Sequence, residues 1–106
     1  MQIVEIWQFD VLPEHREAFV QQIFIEFTTT MVRETPGVSG SLVEDEDTPN
    51  RFFILNLFAD QAARDAFHAG PTLTRAIEQM RPMLASQIAK LGAGPRLNII
   101  SSQPPE

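Results

Sequence analysis

Few side chains in this 106-residue sequence could do chemistry. It has two histidines, one tryptophan, no tyrosine and no cysteine. Thiol and disulfide chemistry are therefore out of reach. Ser41 has no identifiable base, so a nucleophilic triad is unsupported. Neither His15 nor His68 has the i+3 or i+4 partner of a helical ligand pair, so no metal site is expected. The acidic run Glu44–Asp47 lacks the glycine and twelve-residue pattern of a calcium loop and reads as a solvated turn. Neither G-x-G-x-x-G nor G-x-x-x-x-G-K-[ST] occurs, so no cofactor is expected.

Four residues remain, each with two readings. His68 is a general acid or base near neutral pH, or a half-exposed residue at a helix end. Asn56 is the one polar residue in an apolar run, RFFILNLF. A buried amide must find partners, so it either orients a ligand hydroxyl or carbonyl, or bonds backbone or water. Glu5 shares strand parity with Trp7 and Phe9. It is a pocket carboxylate with a pKa raised by desolvation, able to act as a base, or a rim residue solvated or paired with arginine. Trp7 is a stacking wall for a flat ligand or a large core residue. Phe9, Phe58 and Phe67 would complete such a wall, or simply pack.

The elements that must position these residues follow from periodicity. Residues 2–12 alternate as a strand. Pro13 suits a first helical position, and Glu14 and Glu17 suit the first turn. Phe19, Ile23, Phe27 and Met31 then recur at i+4 on one helical stripe, which Pro36-Gly37 ends near Glu34. Val38–Asp45 reads as a weaker strand, Pro49-Asn50 as a turn, and Arg51–Ala59 as a strand apolar on both faces. Asp60 caps a helix running to about Ala69, and Gly70-Pro71 breaks it. Leu73, Ile77, Met80, Leu84, Ile88 and Leu91 share a face, predicting a helix over Thr72–Leu91 kinked at Pro82. Gly92 and Gly94 end it, Arg96–Ser101 gives the last strand, and Ser102–Glu106 is a tail.

The order β-α-β-β-α-β predicts one α+β domain over residues 1–101: a ferredoxin-like antiparallel sheet with both helices on one face. The other face would stay apolar in a single copy. Two sheets packed face to face solve this, so a homodimer through the open sheet face is expected. The alternative is a monomer whose tail folds over the sheet. A net charge of −6 with no basic cluster argues against nucleic acid and anionic membrane. No apolar run approaches the roughly 20 residues of a membrane span. The start MQIVEIWQFDV lacks a basic leader region, so a cytoplasmic location is expected.

Several segments together resemble one family. They are Pro36-Gly37, the turn PNRF at Pro49–Phe52, FAD at Phe58–Asp60, AARDAFHAGP at Ala62–Pro71 and RPML at Arg81–Leu84. They are similar to the antibiotic biosynthesis monooxygenase-like proteins, and the likeness runs from the first strand to about residue 91. It implies a dimeric α+β barrel with a pocket inside each subunit, between sheet and helices. Known members include cofactor-free oxygenases of quinols and polycyclic aromatics, haem-degrading enzymes and isomerases of small metabolites. The family's usual glutamate and tryptophan at the end of the third strand correspond to Asn56 and Phe58, and its helix histidine to Phe67, with His68 one residue on. The positions that serve haem degradation correspond to Trp7, Phe67 and Ile77, which sets that activity aside.

The resemblance thus implies a cofactor-free monooxygenase acting on a small aromatic or quinol-type substrate. Trp7, Phe9, Phe58 and Phe67 would form its walls, with Asn56, His68 and Glu5 as candidate catalytic residues. A non-catalytic ligand-binding or stress-related barrel, or an isomerase, are the alternatives.

Overall fold

Alternating apolar residues from Ile3 build one of the two inner strands of a four-stranded sheet, described by a computed structural model over residues 2–95. Strands β1 (Ile3–Asp10), β2 (Val38–Glu44), β3 (Arg51–Phe58) and β4 (Ala89–Pro95) lie in the order β2-β3-β1-β4. All pairings are antiparallel. With the helices this is the expected ferredoxin-like α+β arrangement.

Helical residues 13–34, here α1, change pitch along their length. Pro13–His15 is a 3-10 turn, Arg16–Ala18 one α-turn, Phe19–Phe24 a π-helical turn and Ile25–Glu34 a regular α-helix. The sequence pattern explains the π turn. Four residues of α-helix advance about 400°, so a stripe spaced by four drifts about 40° per step. One wider turn takes up that drift and keeps Phe19, Ile23 and Met31 buried on the sheet. Gly37, at φ +84°, carries the chain out of the helix.

Asn50, at φ 64°, makes the β2–β3 turn, a conformation asparagine tolerates. Asp60 caps α2 (Gln61–Ala69) by accepting from the Ala63 amide at 2.8 Å. Gly70 separates α2 from α3 (Pro71–Met80).

One expectation needs correcting. The helix predicted over Thr72–Leu91 ends at Met80, followed by a 3-10 turn at Arg81–Met83. Pro82 cannot supply an amide to continue it. Leu84 instead bridges to Val11, and residues from Ala89 pair with β1. The edge strand therefore comes earlier than predicted, where Gly92 sits opposite Ile6. The predicted strand Arg96–Ser101, the boundary at residue 101 and the tail lie outside the described residues.

The pleat of β3 divides the sheet as expected. Phe52, Ile54, Asn56 and Phe58 are buried beneath the helices. Phe53, Leu55 and Leu57 face the other way, in register with Gln8, Ile6 and Val4 of β1. Two core groups form under the helices. One gathers Phe9, Val11, Phe19, Ile23, Phe52, Ile54, Ala76 and Met80, the other Ile3, Met31, Val38, Phe58 and Phe67. Phe27 packs against both.

Candidate functional site

A cavity of about 160 Å³ lies between the two core groups, beneath α1, α2 and α3. Trp7, Phe9, Ile54 and Asn56 form its floor on β1 and β3. Phe27, Phe67 and His68 wall it from α1 and α2, and Leu73, Ile77 and Met80 from α3. Ile88 closes the side next to β4.

Five of the seven predicted site residues therefore meet at one cavity: Trp7, Phe9, Asn56, Phe67 and His68. Phe58 is a correction. It is fully buried behind the wall, with its ring 5.5 Å from that of Phe67 and 6.3 Å from that of His68. It backs the two side chains that reach the cavity and does not itself line it.

Glu5 is also placed behind the cavity, and its environment decides its chemistry. It is 0% exposed, on the helix-covered face of β1, directly opposite Asn56 in the ladder. Three donors surround the carboxylate. Arg64 Nε donates to Oε2 at 2.8 Å, Trp7 Nε1 donates to Oε1 at 3.3 Å, and His68 Nε2 lies 2.8 Å from Oε2. Burial pushes the carboxyl pKa up, but these hydrogen bonds and the charge His68 carries when protonated pull harder, leaving it below its ordinary value. Of the two sequence readings of Glu5, the geometry fits pairing with an arginine, although in a buried place and not at a rim, and not a desolvated base of raised pKa. Glu5 stays ionised and acts as an anchor for its donors; an acceptor so occupied makes a poor base.

The orientation of His68 follows from helix geometry. Arg64 and His68 are four residues apart on α2 and so share a face. Both reach over the sheet to the same carboxylate oxygen. The side chain of His68 stays 38% exposed, between the buried Glu5 and the cavity. With Nε2 held by the carboxylate, Nδ1 is the nitrogen without a protein partner among the described residues. Arg64 was missed by the sequence reading, although its i−4 spacing from His68 was a readable signal.

Asn56 is 5% exposed, and its Oδ1 is buried without a hydrogen-bond partner. Gly40, opposite it on β2, makes room for the amide: a Cβ there would stand 3.0 Å from Oδ1. An unpaired buried amide costs about 1–3 kcal/mol. Elsewhere, Lys90 stands 5.7 Å over the Trp7 ring, covering its edge-strand side. No group of three potential metal ligands occurs among the described residues. No helix of the described residues is long and apolar enough to cross a membrane.

The fold and site define a ferredoxin-like α+β domain with an apolar cavity under its helices and, on the cavity wall, a histidine bonded to a buried carboxylate behind it. The chain belongs to the antibiotic biosynthesis monooxygenase family, whose sequence model matches residues 2–79. No protein of curated function matches it in sequence. Solved structures repeat the fold. A candidate antibiotic biosynthesis monooxygenase from Nitrosomonas europaea superposes with a TM-score of 0.78 at 18% identity, covering 91% of this chain and 90% of its own. One from Caulobacter crescentus gives 0.80 at 16% identity, covering 92% and 91%. One from Bacteroides thetaiotaomicron gives 0.74 at 23% identity, covering 96% of both chains.

Proposed function

We propose that the protein is a monooxygenase that oxidises a small phenol or quinol with molecular oxygen, the substrate itself supplying both electrons. One observation carries this reading. His68, held at 2.8 Å by the buried Glu5, stands on the wall of an apolar cavity that Asn56 also lines, with its buried Oδ1 unpartnered.

The chemistry follows from that arrangement. His68 Nδ1 takes the proton of a substrate hydroxyl, and the Glu5 carboxylate stabilises the imidazolium that forms. Asn56 holds the hydroxyl end of the substrate. The substrate anion passes one electron to oxygen, giving a substrate radical and superoxide. These combine at a ring carbon that bears hydrogen, and His68 returns its proton to the peroxide. Loss of water then leaves a carbonyl. One oxygen atom ends in the product and the other in water, so a phenol and oxygen balance against a quinone and water. The aromatic and aliphatic walls keep bulk water from the radical pair.

Oxygen uptake by the purified protein on a panel of quinols tests this. Uptake that falls at least a hundredfold in His68→Ala is the expected result. No uptake on any quinol rules the oxygenase out; the cavity would then be that of an isomerase or of a non-catalytic binding protein.

We also propose that a second copy covers the open face of the sheet. Val4, Ile6, Phe53 and Leu57 lie on that face with Leu55, 38% exposed, and Val43, 45% exposed. A contiguous apolar surface of this kind marks an interaction site, and sheet-on-sheet packing about a two-fold axis would bury it. Light scattering at micromolar concentration should give twice the 11.9 kDa of one chain. A single-chain mass would rule out the pairing.

A further inference from the structure

The cavity is polar at one end only. Along its floor the β1–β3 register pairs Glu5 with Asn56, then Trp7 with Ile54, then Phe9 with Phe52. The Trp7 indole N–H is taken by Glu5 at 3.3 Å, and the cavity's other two hydrogen-bonding side chains stand at the first of these steps. Asn56 is a member of that pair, and His68 is bonded to the other member, Glu5. From Ile54 onward the floor is hydrocarbon, with Met80 and Ile77 above it. Four residues of strand, roughly 13 Å, separate the polar step from Phe9.

Size adds a second restriction. The cavity holds about 160 Å³. An engineered apolar cavity of about 150 Å³ in another protein takes up benzene. Space of this order suits one aromatic ring with a short substituent and is too small for three fused rings. Its walls are built from both core groups, so widening it means moving Phe27, Ile77 or Met80 out of packed positions.

We infer that the cavity selects a single-ring phenol bearing a short apolar group, bound with its hydroxyl between Asn56 and His68 and its apolar end toward Phe9 and Met80. The inference rests on reading this cavity as the substrate site, and it narrows the substrate class from aromatic quinols in general to one-ring compounds. A hydroxyl both donates and accepts. It can therefore accept from the Asn56 amide nitrogen while giving its single proton to His68. A methyl ether cannot donate, and would leave the histidine nitrogen unpaired, a penalty to which polar sites in apolar pockets are sensitive.

Calorimetric titration of the full chain with three probes tests this. The probes are 4-ethylphenol, 4-ethylanisole and 9-phenanthrol. The expected result is that 4-ethylphenol binds at least tenfold tighter than either of the others. In Asn56→Leu the advantage of the phenol over the anisole should fall below threefold. In Ile77→Ala, 9-phenanthrol should gain at least fivefold relative to wild type. If a variant does not fold, the wild-type comparison alone decides. Equal binding of phenol and anisole would overturn the assigned orientation, and phenanthrol binding as tightly as 4-ethylphenol would overturn the size limit. Failure to bind any of the three would overturn both. The oxygenase reading fails separately: tight 4-ethylphenol binding without oxygen uptake on any quinol removes the reaction and keeps the ligand class. Uptake confined to polycyclic quinols does the reverse.

Discussion

Glu5 Oε2 on β1 and His68 Nε2 on α2 stand 2.8 Å apart, tying the centre of the sheet to the last turn of the second helix. The carboxylate is completely buried and the histidine half-exposed, so the pair runs from the core outward. Glu5→Gln keeps the shape and removes the charge that Arg64, Trp7 and His68 all address. The expected loss is about 1–3 kcal/mol of stability, the cost of leaving buried donors poorly paired. Urea denaturation measures it, and a midpoint equal to wild type would contradict the role.

The same carboxylate makes stability depend on acid. Its pKa in the folded chain lies below the ordinary 4.5 because hydrogen bonds outweigh the desolvation that raises it. A depressed pKa stabilises the fold above the unfolded value, and that contribution is lost as pH falls through the folded one. The thermal midpoint should therefore fall in acid below about 4.5, and less steeply in Glu5→Gln. Asp10 adds a second contribution of the same sign, because its hydrogen bond from Arg51 lowers its pKa from 3.8. Asp10→Asn should flatten what Glu5→Gln leaves. Midpoint curves for wild type and Glu5→Gln that stay parallel between roughly pH 3 and 6 would exclude Glu5 as a source.

Two glycines should respond differently to alanine. At Gly40 the new Cβ would meet Asn56 Oδ1 at 3.0 Å and Met31 Cε at 3.5 Å, so the amide must give way. At Gly92 nothing lies within 4 Å. Alanine in a strand gains about 0.5–1 kcal/mol over glycine where it fits. Gly92→Ala should be neutral or slightly stabilising. Gly40→Ala should gain nothing and weaken 4-ethylphenol binding several-fold. Denaturation midpoints and calorimetry on the two variants make the comparison.

Phe67 is 2% exposed, with ring centroids 5.9 Å from Phe27, 5.5 Å from Phe58 and 5.6 Å from the His68 ring. Phe67→Ala should cost about 3–5 kcal/mol, the range for large-to-small changes in a packed core. Phe67→Leu, which keeps most of the volume, should cost less than half as much and retain the fold by circular dichroism.

Leu55→Arg places a charge in the middle of the open face of the sheet, away from the cavity. If a second copy covers that face, the variant should run as a single chain in light scattering, and its thermal midpoint should no longer rise with protein concentration. An unchanged dimer mass would place the interface elsewhere.

Strand and helix periodicity, proline and glycine stops and the Asp60 cap were legible in the sequence because each is a local effect. They place β1, β2, β3, the end of α1 and the start of α2, and with them the β-α-β-β-α-β order. The inward parity of Asn56, Trp7 and Phe9 was legible as well, while Phe67 was placed by the family resemblance; whether these residues line a cavity or simply pack was not legible. Three matters were decided only by tertiary structure. Ile88 and Leu91 continue a helical spacing from Ile77, yet Ala89–Pro95 is a strand, because β1 offered an unpaired edge and Pro82 had already stopped the helix. Phe58 has the same parity as Asn56, yet Phe67 and His68 cover it, since α2 crosses above that end of β3. The sequence allowed Glu5 to be a desolvated base or a paired anchor. Its pKa depends on donors that chain folding brings from 59 and 63 residues away, and they settle it as the anchor that holds His68 to the cavity.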